Sequence, residues 1–340
     1  MQRRRFLRRF GLGSLAALAP APAIQSKERA VGNMPPEQLR QALVKCLGGA
    51  WPVPCPLNSN TARIIQKPGY RIETLSYEVE PGDRVPALLL IPDGVTEQSP
   101  AIAVWHQHAG QYHLGKSEPA GLAGNPMHHT GVALAKEGYV VLCPDTLCFE
   151  ERQDPTGKLD GMRFERFEFL RYVVEGKSLA WKNILDMRRA IDLLTSRPEV
   201  DEKRIGCYGH SMGSTHAWLV GPHEPRIKAL VGNCCLPTYQ GIHEKRLLHC
   251  FPNFIPGWMT YGDTPEIAAL VAPRALHLNL GETDSGSPIT HAKAGIVRIQ
   301  QAYKRQNAVG QFSFFIEPET GHVLSESMWR HTKQFFLRKL

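Results

Sequence analysis

The stretch that most restricts this chain is Arg204-Ile205-Gly206-Cys207-Tyr208-Gly209-His210-Ser211-Met212-Gly213-Ser214. Ile205 to Tyr208 reads as a short buried strand. It runs into Gly209-His210-Ser211-Met212-Gly213, a G-x-S-x-G pattern, and then into the helical run His216 to Val220. Strand, sharp turn and helix in that order present a serine hydroxyl at a sheet edge. Side chains two positions before and after the serine would collide across such a turn, and glycine removes both. The amide of Met212 then sits at a helix N-terminus, aimed where negative charge develops on a reacting carbonyl. Glycine-rich strand-to-helix turns also occur in α/β proteins that lack this chemistry, so the rest of the chain has to supply the context.

Before the elbow, Arg71 to Glu80 and Val85 to Ile91 read as a strand pair around the turn Pro81-Gly82-Asp83, and Ala101 to Trp105 as a short apolar strand. A helix from Met127 to Glu137 is stopped by Gly138, and Tyr139 to Cys143 follows as the fourth strand. A polar insertion, Phe149 to Glu175, leads to an amphipathic helix, Leu179 to Leu194, with Ile184, Met187, Ile191 and Leu194 on one face. After the elbow come strands at Ile227 to Asn233, Ala275 to Leu280 and Gln311 to Ile316, and helices at His291 to Lys304 and Ser325 to Lys339. Strands alternating with helices predict a mainly parallel eight-stranded sheet covered on both faces. This body takes residues 71–340, with a helical extension over 24–70 and a cap-like insertion over 235–263.

A serine hydroxyl attacks only when a base takes its proton, and the base must be oriented by a third group. In an open α/β sheet such groups lie beyond the carboxyl ends of strands. Gly281-Glu282-Thr283-Asp284 follows the seventh strand and Glu317-Pro318-Glu319-Thr320-Gly321-His322 the eighth. The predicted triad is Ser211, Asp284 and His322. Asp284 is preferred to Glu282 because its distance beyond the strand lets the loop turn back; Glu282 and Glu319 read as surface carboxylates. The second oxyanion donor belongs to the loop after the third strand, His106-Gln107-His108-Ala109-Gly110, and is assigned to the backbone N–H of His108, beside that of Met212.

The elbow, Asp284 and His322 in this order resemble the α/β-hydrolase superfamily. The phrases Ala135-Lys136-Glu137-Gly138-Tyr139-Val140-Val141-Leu142-Cys143-Pro144-Asp145 and Arg197-Pro198-Glu199-Val200-Asp201-Glu202-Lys203-Arg204-Ile205-Gly206 are similar to its dienelactone hydrolase-like and acetyl xylan esterase-like branch. The resemblance spans about residues 70–340 and implies ester hydrolysis through an acyl-enzyme, with no metal or organic cofactor. Two departures stand out. Dienelactone hydrolases proper use cysteine where this chain has Ser211, which argues against dienelactone substrates. The loop that usually reads His-Gly has Gln107 after His106.

Other readings compete at particular residues. His106 and His108 form the H-x-H that opens a metallo-hydrolase motif, with His113, His128 and His129 nearby, but Ala109-Gly110-Gln111 lacks its Asp and His. Phe251, Phe254 and Trp258 in the 235–263 stretch either stack on a sugar ring, which suggests carbohydrate esters, or pack the cap itself. A binding protein on a hydrolase scaffold, a peptidase and a lactonase are the alternative functions; no propeller-like domain precedes the body to favour the peptidase.

The net charge of +8 does not signal nucleic-acid binding, because Arg3, Arg4, Arg5, Arg8 and Arg9 account for five positive charges and leave +3 for the remainder. Those arginines belong to Arg3-Arg4-Arg5-Phe6-Leu7-Arg8, which resembles the twin-arginine export motif. Gly11 to Ala19 is weakly apolar, and Ala21-Pro22-Ala23 offers a cleavage site before Ile24. Residues 1–23 are thus expected to be a signal for the twin-arginine machinery and the protein to be periplasmic or secreted, or membrane-tethered if uncleaved. No later run is long enough to span a bilayer. The eight cysteines show no zinc-type C-x-x-C spacing; Cys46 and Cys55 flank a Pro-rich turn and could pair after export.

Overall fold

The computed structural model describes residues 34–95 and 98–340; the expected export segment, 1–23, lies outside them. Residues Pro35–Leu340 form one compact unit. Its centre is a nine-stranded sheet: β1 (Asn60–Lys67), β2 (Tyr70–Glu80), β3 (Asp83–Pro92), β4 (Ser99–Trp105), β5 (Val140–Pro144), β6 (Val200–His210), β7 (Ile227–Asn233), β8 (Ala275–Gly281) and β9 (Phe312–Glu317). The spatial order is β1-β2-β3-β5-β4-β6-β7-β8-β9. The pairings from β1 to β5 are antiparallel and those from β5 to β9 parallel.

Alternation along the strands separates two cores. On β3, Ala87, Leu89 and Ile91 face one side and Leu88 and Leu90 the other; on β4, Ala101, Ala103 and Trp105 oppose Ile102 and Val104. The larger core is closed by α1 (Pro36–Leu47), α4 (Leu179–Thr195), α5 (Met212–Val220) and α8 (Ile289–Arg305). The smaller is closed by α2 (Thr130–Lys136) and α9 (Glu326–Lys339). Helices on both faces of the parallel half make this the doubly covered sheet the strand–helix alternation predicts, and the α/β-hydrolase arrangement the resemblance implies. Ile184, Met187, Ile191 and Leu194 of α4 are all buried in the larger core.

Two expectations are corrected. The sheet has nine strands rather than eight, because β1 falls in the stretch expected to be a helical extension. β1 is an edge strand with most residues solvent-exposed, so its sequence lacks the apolar alternation that marks a half-buried strand. The Phe149 to Glu175 stretch, expected as a polar insertion with no element assigned, contains α3 (Gly161–Val174). Phe164, Glu165, Glu168 and Tyr172 of α3 point inward, while Phe167, Leu170 and Val174 are exposed. Glutamates on the inner face and apolar residues on the outer one invert the usual helical pattern.

The 235–263 stretch holds α6 (Tyr239–Lys245) and precedes α7 (Thr264–Ala269). Its aromatics are consumed by packing. Trp258 is fully buried with its indole N–H donated to the Asp263 carbonyl, Phe254 stacks on Tyr239, and Phe251 stacks on Phe169 of α3. All eight cysteines are free thiols, Cys46 and Cys55 included. Among the described residues, no helix is long and apolar enough to cross a membrane.

Two predictions follow from the packing. Leu39, Leu43 and Leu47 line the buried side of α1, and Leu43 is wholly enclosed. Leu43→Ala removes a buried isobutyl group and leaves a cavity, so urea denaturation should show a loss of about 2–5 kcal/mol. Burial also pushes His106 and His277 down to about 4 and His216 to about 3. These rings bind a proton in the unfolded chain below their ordinary value of 6.5 but stay neutral in the native state. Their contribution is therefore complete above pH 6.5 and is lost as pH falls toward 4. The unfolding free energy from urea denaturation should decline across that window, by up to about 1.4 kcal/mol per pH unit for each histidine.

Candidate active site

The site lies at the carboxyl end of the parallel strands and is built from the ends of β4, β6, β8 and β9. At the end of β6 the backbone turns into α5 through Ser211, which has φ 57° and ψ −119°. A non-glycine residue in that region is strained and persists only where its surroundings hold it. The two glycines explain how. A Cβ at Gly209 would run into the Gly213 carbonyl, and one at Gly213 would run into the Trp105 carbonyl at the end of β4. Glycine at both positions lets α5 press against β4 and β6. The Ser211 N–H is spent on the Asn233 carbonyl at 2.9 Å, which ties the elbow to β7.

The structure brings Ser211, His322 and Asp284 together. His322 Nε2 is 2.8 Å from Ser211 Oγ, and His322 Nδ1 is 2.8 Å from Asp284 Oδ2. A carboxylate only accepts, so Nδ1 carries the proton and Nε2 is free to accept from the serine hydroxyl. Asp284 is buried, and its other oxygen accepts from the Gly286 N–H at 2.8 Å. The His322 side chain is 39% exposed, so the imidazole is open to an incoming molecule on one side. The loops bearing the acid and the histidine are stitched together: Glu282 N–H donates to the Glu317 carbonyl at 3.0 Å and Thr283 N–H to the Thr320 carbonyl at 2.8 Å. Glu282 is not at the imidazole; its carboxylate accepts from the Glu319 N–H and lies near Lys293. Glu319 is exposed.

Met212 and His108 are the expected oxyanion donors. Met212 is the first residue of α5. Among the described residues, neither its backbone N–H nor that of His108 donates to a protein acceptor. The loop that follows β4 is held by side chains. His106 is buried; its Nε2 accepts from the Thr146 N–H at 3.1 Å and its Nδ1 donates to the Gln107 carbonyl at 2.8 Å. Gln107, which replaces the usual glycine, donates to buried Glu118 at 3.0 Å. The His108 ring meets Glu165 at 2.9 Å.

The metal reading of these histidines has no geometric support. Both His106 nitrogens are engaged within the protein, His113 is exposed, and His129 Nε2 pairs with the Ala123 carbonyl. The carboxylates of Asp145, Glu150 and Glu151 do converge. The Lys116 ammonium lies at 2.8, 2.7 and 2.6 Å from them and supplies the positive charge there. The His210 ring contacts those of His128, tilted, and His322, edge-on, at 4.6 and 5.2 Å between centroids. Burial drives its imidazole well below its ordinary value, with His128 and His322 adding to the effect. It stays neutral, and its Nδ1 is occupied by the Asn233 amide at 2.8 Å.

Sequence reasoning missed the residues that pack against the His108 loop and the Asp284 loop: Tyr112, Phe149, Glu165 and His249. The His108 ring packs edge-on against Tyr112 and Phe149. His249 bonds the Gly286 carbonyl beside Asp284. The one available signal was a pair of glutamates, Glu165 and Glu168, on the inward side of α3.

With this geometry in place, comparison with known proteins is informative. Residues 85–243 match the dienelactone hydrolase family. YtaP of Bacillus subtilis (strain 168), named a hydrolase, is 29% identical over 306 residues, covering 88% of this chain and 98% of its own. A protein designated an acetyl xylan esterase from Bacteroides fragilis NCTC 9343 superposes with a TM-score of 0.68 at 18% identity, over 83% of this chain and 74% of that one. The glucuronoyl esterase from Solibacter usitatus gives 0.66 at 14% identity, over 91% and 93%. At those identities the two structures speak for the fold. Sheet, elbow and solved neighbours together give this chain the α/β-hydrolase fold, and the match over residues 85–243 makes the dienelactone hydrolase family the one it is similar to.

Proposed function

We propose that this chain is an exported serine esterase that cleaves carboxylic esters through an acyl-enzyme. The observation that carries the reading is the unbroken hydrogen-bond path from Asp284 through His322 to Ser211, with both links at 2.8 Å. Ser211 Oγ attacks the ester carbonyl while His322 Nε2 takes its proton. Asp284 holds the ring in the required tautomer and stabilises the imidazolium. The carbonyl oxygen becomes an oxyanion facing the Met212 and His108 N–H groups, each worth on the order of 3 kcal/mol of barrier. His322 then returns the proton to the leaving alcohol. Water repeats the sequence on the acyl-serine and releases the acid. No step calls for a metal or an organic cofactor.

Carbohydrate esters, acetyl esters in particular, are the proposed substrate class. The support is the export motif at Arg3-Arg4, together with folds shared with acetyl xylan and glucuronoyl esterases. Stacking of sugars on Phe254 or Trp258 is not part of the proposal, because those rings pack internally. Export would use the twin-arginine machinery with cleavage before Ile24, yielding a periplasmic or secreted protein.

Three measurements check this. A fluorophosphonate probe should label the enzyme covalently, and Ser211→Ala should abolish labelling. An unlabelled wild-type chain would favour a binding protein on a hydrolase scaffold. Asp284→Asn should keep the fold but lower kcat by about 10³–10⁴-fold, because the amide can donate to Nδ1 and favours the wrong tautomer. N-terminal sequencing of the exported protein should begin at Ile24, and Arg3→Lys with Arg4→Lys should leave it in the cytoplasm.

A further inference from the structure

We propose that Glu165, carried by the α3 insertion, is a positioning residue for the oxyanion loop: its carboxylate fixes the His108 imidazole and, through it, the backbone N–H that faces the reacting carbonyl. The inference rests on the esterase reading above.

The Glu165 side chain is only 2% exposed. Its Oε2 lies 2.9 Å from His108 Nε2 and 2.6 Å from the Tyr112 hydroxyl. Because an ionised carboxylate only accepts, His108 must carry its proton on Nε2. Its Nδ1 is then free to accept, and it does so from the Gly110 N–H at 3.0 Å. The ring packs edge-on against Tyr112 and Phe149, with centroids 5.0 and 5.1 Å away, and those two rings stack on each other. The backbone just beyond it is strained: Ala109 has φ 45°. A non-glycine residue there costs about 1–2 kcal/mol, so other contacts must hold it in place. The Glu165–His108–Gly110 chain spans this turn from both sides.

Three successive loop residues are thus anchored by side chains: His106 on Thr146, Gln107 on Glu118 and His108 on Glu165. Glu118 lies in the connection that follows β4, and Thr146 lies two residues past the end of β5. Glu165 alone comes from the insertion, so the loop is fully fixed only when α3 is docked. Glu165 is also an expensive way merely to pack a helix. Its Oε1 is buried without a protein partner among the described residues. Apolar replacements of buried ions are often neutral or stabilising, so a carboxylate retained at that cost points to function.

The test compares Glu165→Leu, Glu165→Gln, His108→Ala and the double variant Glu165→Leu/His108→Ala, using 4-nitrophenyl acetate and thermal denaturation. Loosening one oxyanion donor should lower kcat by about 10–100-fold in Glu165→Leu, with KM within about 2-fold. Glu165→Gln, whose amide oxygen still accepts from His108 and Tyr112, should recover most of the rate. The double variant should be no slower than the worse single one, because both cut the same link. A folded Glu165→Leu enzyme that turns over like wild type, loses only KM, or adds its defect to that of His108→Ala would overturn the inference while leaving the esterase reading intact. Nitrogen-15 NMR of the histidine rings gives a readout free of turnover. His108 should be the Nε2–H tautomer in wild type and lose that fixed state in Glu165→Leu; an unchanged signal overturns the clamp even if the chain proves not to be an esterase.

Discussion

The reaction centre depends on how closely one helix can approach the sheet. α5 starts directly after Ser211, and its second residue, Gly213, meets the Trp105 carbonyl at the end of β4. Any side chain there would push the helix away from β4, and with it the Met212 amide and the strained Ser211 backbone. The same contact brings the end of β4, and so the loop from His106 to His108, alongside the serine. One backbone-to-backbone approach therefore juxtaposes the candidate nucleophile and both candidate oxyanion donors. The strain at Ser211 is offset by the pairing of β6 with both neighbours and by the bond from its N–H to Asn233.

A second close approach governs the other half of the site. A Cβ at Gly281 would collide with the Gly321 carbonyl, so glycine at the end of β8 allows the two following loops to touch. Their backbone bonds then hold Asp284 and His322 at a fixed separation, while the elbow delivers Ser211 from a different strand pair. Around this frame, charge is handled by pairing. Lys116 gathers three carboxylates, and Lys182 and Arg152 converge on Asp186. Buried charges arranged this way organise the insertion after β5 more than they stabilise the fold, since removing either partner would strand the other without solvent.

Most of this frame was legible in the sequence because it rests on local rules. The elbow announces itself through Gly209, Ser211 and Gly213, and the parallel strands through short apolar runs that end in polar loops. Asp284 and His322 were readable because each follows a strand end and the sheet brings strand ends together. What escaped depends on long-range context. β1 has one neighbour and a solvated surface, so nothing forces an apolar rhythm on Asn60–Lys67. α3 hides because its buried side carries Glu165 and Glu168, whose partners are His108, Tyr112 and Arg171. No spacing rule links residue 165 to residue 108; only the folded insertion does. The aromatics of 235–263 show the opposite ambiguity, since a ring that stacks on a ligand and a ring that packs a core look identical in one dimension.

The account stands on Ser211 becoming a transient ester. The most direct check is rapid-quench mass spectrometry of the enzyme mixed with an activated acetyl ester. The peptide that contains Ser211 should gain the mass of one acetyl group within the first turnover and lose it as product accumulates. Steady turnover with that peptide never acetylated would contradict the account.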